Sequence, residues 1–591
     1  MKILVQFIFL ILLANESYCQ NSNFIAKPRA VNPQYLSNSD SLNISYEPSM
    51  PEIFNGNNSI TQNIPYPIIF IHGLDSSSNT WNQFGLELIL RGLFFGGQID
   101  FCLNDDNNNY SSNKLVWPTP NADISYFTDY ENDLTVGDFY FINFDVDNNG
   151  NKPSADNDYF EEMLSNQSAI VKQGVALRIA IQMVLAKTGR DKVILMGHSM
   201  GGLAAREYIQ NPVNWASDNR HHIAKLVTTG SPHGGFNYLD LSPTADNRSE
   251  AYRDLRQYYL ESGYSGVYLF GGSENETVIN NNFTEDFYNI DVNCNGVSGD
   301  NTSIIGLNEK TLPANLEYSY IIGNCLDCLI SGGDGVVTEY NANLSNFLIN
   351  PIPFNEFIHT ATPNNFLIGL HSDLPSATIV NMQALDQPMD FNLSYEVFLN
   401  KEYKGFMTKQ ADGDFIDYDT YKINIDNSGS YYFNIQNPFG TWLYFDIYDT
   451  NFNIVSQNNL PYVSTEAITE NLDANYSPYF LDFYSLVDSD GATLNSYTFS
   501  VEVNTLDIND NIANDNLKLY PNPTNSIIRF DNSQTNFETL DIYNALGQTL
   551  LKINLDNSIQ SNINISEFDS GVYTFKLIKE GMVKTIKVIK N

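Results

Sequence analysis

The chain has 591 residues, of which 42% are hydrophobic, so it can support several folded domains that each have a core. It contains 69 acidic and 30 basic residues, which gives a formal net charge of -39. This charge disfavours nucleic acid and anionic membranes as partners and suits a secreted protein.

The first segment of the chain predicts a secretory signal peptide, residues 1–19. An apolar run from Ile3 to Leu13 follows a lysine and leads to a cleavage position after Cys19. The run is too short for a membrane anchor, and no other run approaches transmembrane length. A lipoprotein in which Cys19 carries the lipid is a disfavoured alternative, because the small residue expected before such a cysteine is missing. Residues 20–60 are interpreted as a linker.

A buried strand is predicted at residues 67–71, where an apolar run ends in His72-Gly73-Leu74-Asp75. Open α/β sheets place their sites at the carboxyl ends of parallel strands. A glycine at such an end lets backbone amides approach a developing oxyanion. The amide of Leu74 is therefore one candidate donor to an oxyanion hole, and an ordinary strand-ending turn is the alternative.

One segment matches the spacing of a calcium-binding loop. Its candidate ligands are Asp145, Asp147, Asn149 and, at the twelfth position, Asp156, where such loops usually carry Glu. A poorer copy begins at Asp291. Chance solvated loops are the alternative in a chain this rich in Asn and Asp. Calcium is thus a candidate ligand.

A short apolar strand from Lys192 runs into Gly-His-Ser-Met-Gly, with Ser199 at the apex of the turn. Apolar residues at helical spacing precede the strand and stop at Gly189, and residues 203–210 again have a helical pattern. Helix, strand, turn and helix in this order indicate a nucleophile elbow, in which the serine is strained and exposed. Ser199 is the candidate nucleophile, and the amide of Met200 is the second candidate oxyanion donor.

Together with Thr229-Gly230-Ser231-Pro232-His233-Gly234, these motifs resemble the α/β-hydrolase superfamily over roughly residues 61–390. The resemblance is greatest to the lipase branch, including the glycosylphosphatidylinositol inositol deacylase-like lipases. It implies an α/β fold with a doubly wound, mostly parallel sheet. It also implies a catalytic triad in the chain order Ser, Asp, His, which excludes His72 and His198 as the base and counts against His233. We expect these histidines to pack or to orient other groups.

The resemblance implies that the acid lies in Ser331-Gly332-Gly333-Asp334-Gly335-Val336-Val337, which is similar to the segment that carries the acid in such lipases. Asp334 is the candidate, and a turn aspartate in a glycine-rich loop is the alternative.

Two histidines then remain as candidate bases. His371 follows an apolar run and precedes a helix predicted to start at Ser376, whereas His359 also follows apolar residues. The loop context favours His371, and His359 stays the alternative.

An insertion is predicted at about residues 236–330, because this stretch is far longer than an ordinary strand connection. Such insertions are commonly lids or caps. A cap helix at Tyr252–Leu260 could supply aromatic side chains to an acyl pocket, and ordinary core packing is the alternative.

Two all-β domains are predicted after the hydrolase. Residues 391–510 alternate as in a β-sandwich, and Asp417-Tyr418-Asp419-Thr420-Tyr421 resembles the bacterial pre-peptidase C-terminal domain, an accessory module. Such a module either binds a surface or a polysaccharide or serves only as a spacer, and both roles stay open. Residues 515–591, with Tyr520-Pro521-Asn522-Pro523 and Gly571-Val572-Tyr573, resemble the C-terminal sorting domain of the type IX secretion system. That resemblance implies passage to the cell surface and removal of the domain.

Four cysteines remain in the mature chain, and this even number is compatible with two disulfides in an oxidising compartment, although the pairing is open. They are Cys102, Cys294, Cys325 and Cys328. The sequence thus predicts a secreted serine hydrolase of carboxylic esters, lipase-like, that requires no cofactor. Its partners are an ester or lipid substrate and the type IX machinery. Acyl transfer or amide hydrolysis on the same triad, and a non-catalytic surface binding protein, are the alternatives.

Overall fold

The computed structural model describes most of the chain between residues 62 and 591. The longer described stretches are 62–103, 134–146, 165–236, 305–325, 332–360, 369–409, 416–438, 441–486, 495–503, 521–530, 537–544, 548–555, 561–579 and 582–591, with shorter segments between them. The predicted signal peptide lies outside the described residues, as does the predicted linker apart from residues 34–35. Two compact units are formed, residues 1–503 and residues 504–591.

The first unit contains a nine-stranded sheet. Its strands are β1 (Gln34–Tyr35), β2 (Ile68–Ile71), β3 (Phe95–Cys102), β4 (Ser125–Thr128), β5 (Phe139–Asn143), β6 (Val193–His198), β7 (Ile223–Thr229), β8 (Glu317–Asn324) and β9 (Asn355–Thr360). The spatial order is β1-β4-β3-β5-β2-β6-β7-β8-β9. From β3 to β9 all neighbouring strands pair in parallel, whereas β4 pairs antiparallel with β3 and with β1.

Helices cover both faces of this sheet. They are α1 (Asn82–Leu90), α2 (Ile170–Thr188), α3 (Met200–Gln210), α4 (Val267–Phe270), α5 (Glu339–Ala342) and α6 (Thr378–Leu385). Successive side chains of a strand point to opposite faces. In β2, Ile69 and Ile71 accordingly pack in the hydrophobic cluster that contains residues of α2 and α3, and Phe70 packs in the cluster that contains residues of α1 and α6. This arrangement confirms the predicted α/β class.

The elements around the elbow end where the sequence predicts. The α2 helix ends with Gly189 as its C-cap in the left-handed conformation (φ 65°), which glycine adopts without a steric penalty. The strand β6 follows at once, and each of its six residues is buried. Large buried side chains such as Phe70 hold the layers together, and truncation of one typically costs about 3–5 kcal/mol.

Residues 395–503 form the predicted β-sandwich. One sheet has the order β10-β12-β17-β14-β15, and the other has the order β11-β18-β13-β16. The strands are β10 (Tyr395–Val397), β11 (Glu402–Met407), β12 (Ile416–Ile423), β13 (Gly429–Asn437), β14 (Leu443–Tyr448), β15 (Ile454–Leu460), β16 (Ser464–Leu472), β17 (Tyr479–Leu486) and β18 (Asn495–Val503). In β13, Tyr431, Phe433 and Ile435 are buried, and this alternation matches the period of a strand with one face on a core.

The sandwich packs directly against the hydrolase domain. A single cluster of buried hydrophobic side chains contains Phe70 and Phe84 of the hydrolase together with Tyr395 and Phe433 of the sandwich. The guanidinium of Arg190 lies 5.1 Å from the ring centre of Phe398. The two domains therefore belong to one compact unit.

Buried charges also cross this junction. The ammonium of Lys225, in β7, donates to the backbone oxygen of Asp386 (2.6 Å) and pairs with Glu317 of β8 (3.0 Å). Asp386 lies in turn beside Asp417 and Asp419 of the sandwich, with one carboxylate oxygen from each within 4.8 Å of the others. The junction is thus partly polar, although all three carboxyl groups are buried.

The second unit is all β. Its strands are β19 (Ile527–Phe530), β20 (Thr539–Tyr543), β21 (Thr549–Asn554), β22 (Ser561–Asn564), β23 (Gly571–Lys579) and β24 (Met582–Lys590). They form a two-stranded sheet, β19-β22, and a four-stranded sheet, β21-β20-β23-β24, around a small hydrophobic core. The two predicted all-β domains are therefore present.

The predicted insertion needs a correction at its end. The sequence interpretation extends it to about residue 330, but residues 317–324 are β8 of the central sheet, because this buried strand pairs with β7 on one side and with β9 on the other. The insertion therefore ends before residue 317. The predicted cap helix at 252–260 falls largely outside the described residues, which include only residues 251, 254–255 and 267–270 of this region.

Candidate active site

Ser199 occupies a strained turn between β6 and α3. Its backbone torsions are φ 53° and ψ -127°, and α3 starts at the next residue, Met200. A Cβ on Gly201 would lie 2.5 Å from the backbone oxygen of His72, and one on Gly197 would lie 2.4 Å from the backbone nitrogen of Gly202. Only glycine fits at either position, so the Gly-x-Ser-x-Gly pattern reflects packing on both sides of the serine.

Two neighbouring strands border the serine. Its backbone amide donates to the oxygen of Thr229, the last residue of β7 (2.9 Å). A Cβ on Gly73, in the loop after β2, would lie 3.2 Å from Ser199 Oγ. The hydroxyl is therefore placed at the carboxyl ends of the parallel strands, where open α/β sheets have their sites.

Asp334 is buried in a tight turn after β8. Its Oδ1 accepts hydrogen bonds from the backbone amides of Val336 (2.9 Å) and Val337 (2.7 Å). The turn is closed by a β-bridge between Gly333 and Thr338. Because one carboxylate oxygen is held by the turn, the other is free to face a partner in a fixed direction.

That partner is His371. Its Nδ1 lies 2.7 Å from Asp334 Oδ2, and its backbone amide donates to the backbone oxygen of Asp334 (2.9 Å). His371 is the first residue of a 3₁₀ helix, His371–Ser376, and its side chain is 12% exposed. An ionised carboxylate only accepts, so Nδ1 carries the hydrogen and Nε2 is the nitrogen able to accept a proton.

The end of β7 lies against this pair. A Cβ on Gly230 would stand 3.0 Å from Asp334 Oδ2 and 3.2 Å from His371 Nδ1. Gly230 directly follows Thr229, whose oxygen binds the amide of Ser199. The structure therefore brings Ser199, Asp334 and His371 to one corner of the sheet.

The three histidines that the sequence analysis expects to pack or to orient other groups form hydrogen bonds in the structure. His198 Nε2 donates to the backbone oxygen of His371 (2.9 Å), and burial holds its pKa well below the usual range, so the ring is neutral. His72 Nε2 accepts from the amide of Phe144 (2.9 Å). His233 is buried and contacts Arg206 through Nδ1 (3.1 Å). Each takes part in local hydrogen bonding, as expected of groups that pack or orient.

His359, the alternative base, lies on the edge strand β9 of the sheet. It is part of β9 and aligns with Gly323 of β8, and burial lowers the pKa of its ring. The carboxylate of Asp334 instead pairs with His371. The geometry thus favours His371 over His359.

One candidate oxyanion donor, Met200, follows the serine in the chain, and the other, Leu74, follows Gly73, which borders the serine. Met200 is the first residue of α3, where backbone amides of the first turn lack partners inside the helix. Leu74 lies between Gly73 and Asp75 in the loop after β2. Asp75 has a positive φ of 51°, and its Oδ1 accepts from Gln167 Nε2 (2.5 Å). Sequence reasoning missed Gln167, because no motif connects a residue before α2 with the loop after β2.

The candidate calcium loop is only partly described. Asp145 Oδ1 accepts a hydrogen bond from Asn166 (3.2 Å). Asp147, Asn149 and Asp156 lie outside the described residues, as does the copy that begins at Asp291. Calcium binding there stays a prediction.

Cys325 and Cys328 form a disulfide beside this site. Cys294 lies outside the described residues. One pairing among the predicted disulfide cysteines is thus defined.

The parallel sheet with a strained serine between strand and helix defines an α/β hydrolase. Within that class, residues 64–240 match the PGAP1-like alpha/beta domain and residues 518–591 match the secretion system C-terminal sorting domain. The chain therefore contains a PGAP1-like α/β domain and a type IX secretion sorting domain. That sorting domain supports secretion to the cell surface by the type IX machinery. Among the described helices, none has the length and apolar character to cross a membrane.

The solved structures to which the chain is similar share little sequence with it. The product of the gene lin2722 from Listeria innocua is 15% identical, with 55% of this chain and 96% of that chain covered and a TM-score of 0.30. Naproxen esterase from Bacillus subtilis is 12% identical, with 54% and 82% covered and a TM-score of 0.24.

The pre-peptidase C-terminal domain of a collagenase from Bacillus anthracis is 18% identical, with 20% of this chain and 98% of that domain covered and a TM-score of 0.16. Similarities this weak do not bear on the chemistry of the site. None of the curated proteins compared with the chain matches it.

Proposed function

We propose that this protein is a secreted, lipase-like serine hydrolase that cleaves carboxylic esters. The observation that carries the proposal is the 2.7 Å contact between Asp334 Oδ2 and His371 Nδ1, beside the strained Ser199. A buried carboxylate that orients an imidazole next to a strained serine is the arrangement needed to activate a hydroxyl as a nucleophile.

In the proposed mechanism, His371 Nε2 takes the proton of Ser199 as Oγ attacks the ester carbonyl. Asp334 keeps the hydrogen on Nδ1 and stabilises the imidazolium that forms. The amides of Leu74 and Met200 bind the oxyanion of the tetrahedral intermediate. His371 then protonates the leaving alcohol, and water, activated by the same histidine, hydrolyses the acyl-enzyme. Every step uses groups of the chain and water.

The protein reaches the cell surface by export across two membranes. Residues 1–19 serve as a signal peptide that brings the chain across the inner membrane, and the sorting domain directs it across the outer membrane before it is removed. The mature enzyme then acts at the cell surface or in the medium. The sorting-domain match at residues 518–591 supports this route.

The test uses the full chain and p-nitrophenyl esters of short and long acyl groups. We expect Ser199→Ala to abolish turnover, and we expect Ser345→Ala, which removes an exposed hydroxyl from a short 3₁₀ helix, to retain it. Chain-length preference then separates a lipase from a short-chain esterase.

A fluorophosphonate provides a second readout that is independent of the ester chosen. It should label Ser199, as shown by peptide mass spectrometry, and labelling should disappear in Ser199→Ala. Turnover that is indifferent to Ser199→Ala, or labelling of another residue, would contradict the proposal. Neither turnover nor labelling in the parent protein would also contradict it and would favour a binding protein with a hydrolase fold.

A further inference from the structure

A disulfide lies directly next to the turn that holds the candidate acid. Cys325 follows the last residue of β8 and is bonded to Cys328. The backbone amide of Cys325 donates to the oxygen of Gly333, the residue before Asp334 (2.9 Å). The first cysteine is thus connected to the aspartate turn through the main chain.

The second cysteine contacts the turn from its other side. Gly335 follows Asp334 and has a left-handed φ of 92°, and a Cβ on Gly335 would lie 3.0 Å from Cys328 Sγ. The sulfur therefore packs against the main chain at the residue after the acid. Cys325 is almost completely buried, whereas Cys328 is half-buried. A half-buried sulfur can be reached by a small reductant.

The orientation of Asp334 depends on the shape of this turn. The amides of Val336 and Val337 fix its Oδ1, and they follow Gly335 immediately. The backbone oxygen of Asp334 also binds the amide of His371 (2.9 Å). A shift of the main chain at Gly335 would therefore change both the carboxylate and the position of the imidazole.

The spacing of the two cysteines argues for a local role. A disulfide stabilises a fold chiefly by closing a loop in the unfolded chain, and the effect grows with loop length. Cys325 and Cys328 are three positions apart, so they close a very short loop. Its contribution to global stability is correspondingly small, and its clearest structural effect is on the turn that it contacts.

We propose that the Cys325–Cys328 disulfide is a positioning element for Asp334, so that its reduction lowers the activity of the enzyme. This inference rests on the proposed function. In the reaction, a thiolate of an external dithiol attacks one sulfur and breaks the S–S bond. The second thiol of the reductant then resolves the mixed disulfide, leaving two protein thiols and an oxidised, cyclic reductant.

This arrangement would couple activity to export. Disulfides persist in the periplasm and outside the cell but not in the reducing cytosol. The chain would thus have its acid turn in place only after it leaves the cytosol.

The kinetic test compares oxidised and dithiothreitol-treated full-length enzyme, with reduction verified by alkylation and mass spectrometry. We expect kcat to fall about tenfold or more with KM changed less than about twofold, because small misplacements of catalytic geometry cost rate rather than binding. The double variant C325S/C328S should match the reduced enzyme and should not respond to dithiothreitol. A response that persists in the double variant, or an unchanged kcat after complete reduction, would overturn the proposal.

Two further measurements separate positioning from general destabilisation. If the disulfide acts through Asp334, reduction should not lower kcat any further in the Asp334→Asn variant. In the otherwise unchanged enzyme, complete labelling with a fluorophosphonate should give the same active fraction before and after reduction, because every molecule is slowed and none is unfolded. A smaller active fraction after reduction would contradict the proposal.

A structural readout keeps the inference testable if the esterase proposal fails. Reduction should speed amide hydrogen exchange in peptides that contain Val336 and Val337, while peptides of β6 keep their protection. Hydrolysis that survives Ser199→Ala would disprove the proposed function alone, and the exchange result would then decide the positioning of the turn. Unchanged exchange at residues 336–337 would disprove the positioning role.

Discussion

His198 Nε2 donates a hydrogen bond to the backbone oxygen of His371 (2.9 Å), and the centres of the two rings are 4.6 Å apart. The residue before the candidate nucleophile therefore holds the main chain of the candidate base. Because the carbonyl can only accept, the hydrogen of the neutral His198 ring must be on Nε2.

This contact predicts a rate effect for His198. The variant His198→Phe keeps an aromatic ring but removes the donor. We expect it to lower kcat about tenfold, because the loss of one hydrogen bond to a buried acceptor costs about that factor. His198→Gln, which retains a donor at similar reach, should keep most of the activity. Steady-state kinetics and thermal melting of both variants would check this, and equal losses in the two would contradict it.

Asp334→Asn should lower kcat about 10⁴-fold while the protein stays folded, because an amide cannot keep the hydrogen on His371 Nδ1. The matched control is Asp373→Asn, a carboxyl group in the same 3₁₀ helix as His371. That variant should stay within about threefold of the parent, since Asp373 has no role in the proposed proton transfer. A mild effect of Asp334→Asn would remove this residue from the triad.

The two candidate bases can be separated by single substitutions. His371→Ala should abolish ester turnover, whereas His359→Ala should retain it within about threefold, since His359 lies in β9 and Asp334 pairs with His371. Circular dichroism of both variants controls for folding. The reverse pattern would assign the base to His359.

The buried carboxyl groups at the domain junction predict a pH dependence of stability. Burial raises the pKa of Asp386 and Asp419 well above the usual range, and the nearby carboxyl of Asp417 raises it further. The folded state then binds more protons than the unfolded state, so the free energy of unfolding falls as pH rises above about 4. Asp419→Asn should flatten this dependence and raise the free energy of unfolding at pH 8.

Urea unfolding at pH 5 and pH 8, with and without a chelator and added calcium, checks this prediction. The expected result is a higher urea midpoint at pH 5 that neither addition changes. A midpoint at pH 8 that rises with calcium and falls with the chelator would show that a cation, rather than protons, neutralises the cluster.

Arg190 should be important for the docking of the sandwich. It is almost completely buried, its Nε donates to Gln62 (2.9 Å), and its guanidinium lies over Phe398 (5.1 Å). Arg190→Leu should lower the free energy of unfolding by about 2–3 kcal/mol, through lost hydrogen bonding and cation–π contact. The exposed Arg220→Leu is the control and should change it by less than about 0.5 kcal/mol. Equal effects of the two would contradict the assigned role.

The elbow was predictable because its chemistry is local. A glycine on either side of Ser199, an apolar strand before it and a helix after it are all read from consecutive residues. The α/β class follows from the same segment. The sandwich was likewise predictable from alternation along single strands such as β13.

The rest of the site depends on residues that are distant in sequence. Asp334 and His371 meet because β8 delivers the acid turn beside the 3₁₀ helix, and the choice between His371 and His359 needs that geometry. The bond from Gln167 to Asp75 joins two loops without a motif. The sequence places β8 within the predicted insertion, because its aromatic, partly polar residues are not recognisable as a central strand until β7 and β9 lie beside them.

The hydrophobic cluster shared by Phe70 and Phe433 has a practical meaning for anyone who would dissect this enzyme. A truncation after the hydrolase would expose one side of that cluster to water. The remaining fragment would tend to aggregate, whether or not the sandwich has a binding function. Loss of activity in such a fragment would report a damaged scaffold rather than a missing binding function. The role of the sandwich is better studied by substitutions on its outer face, with the chain left whole.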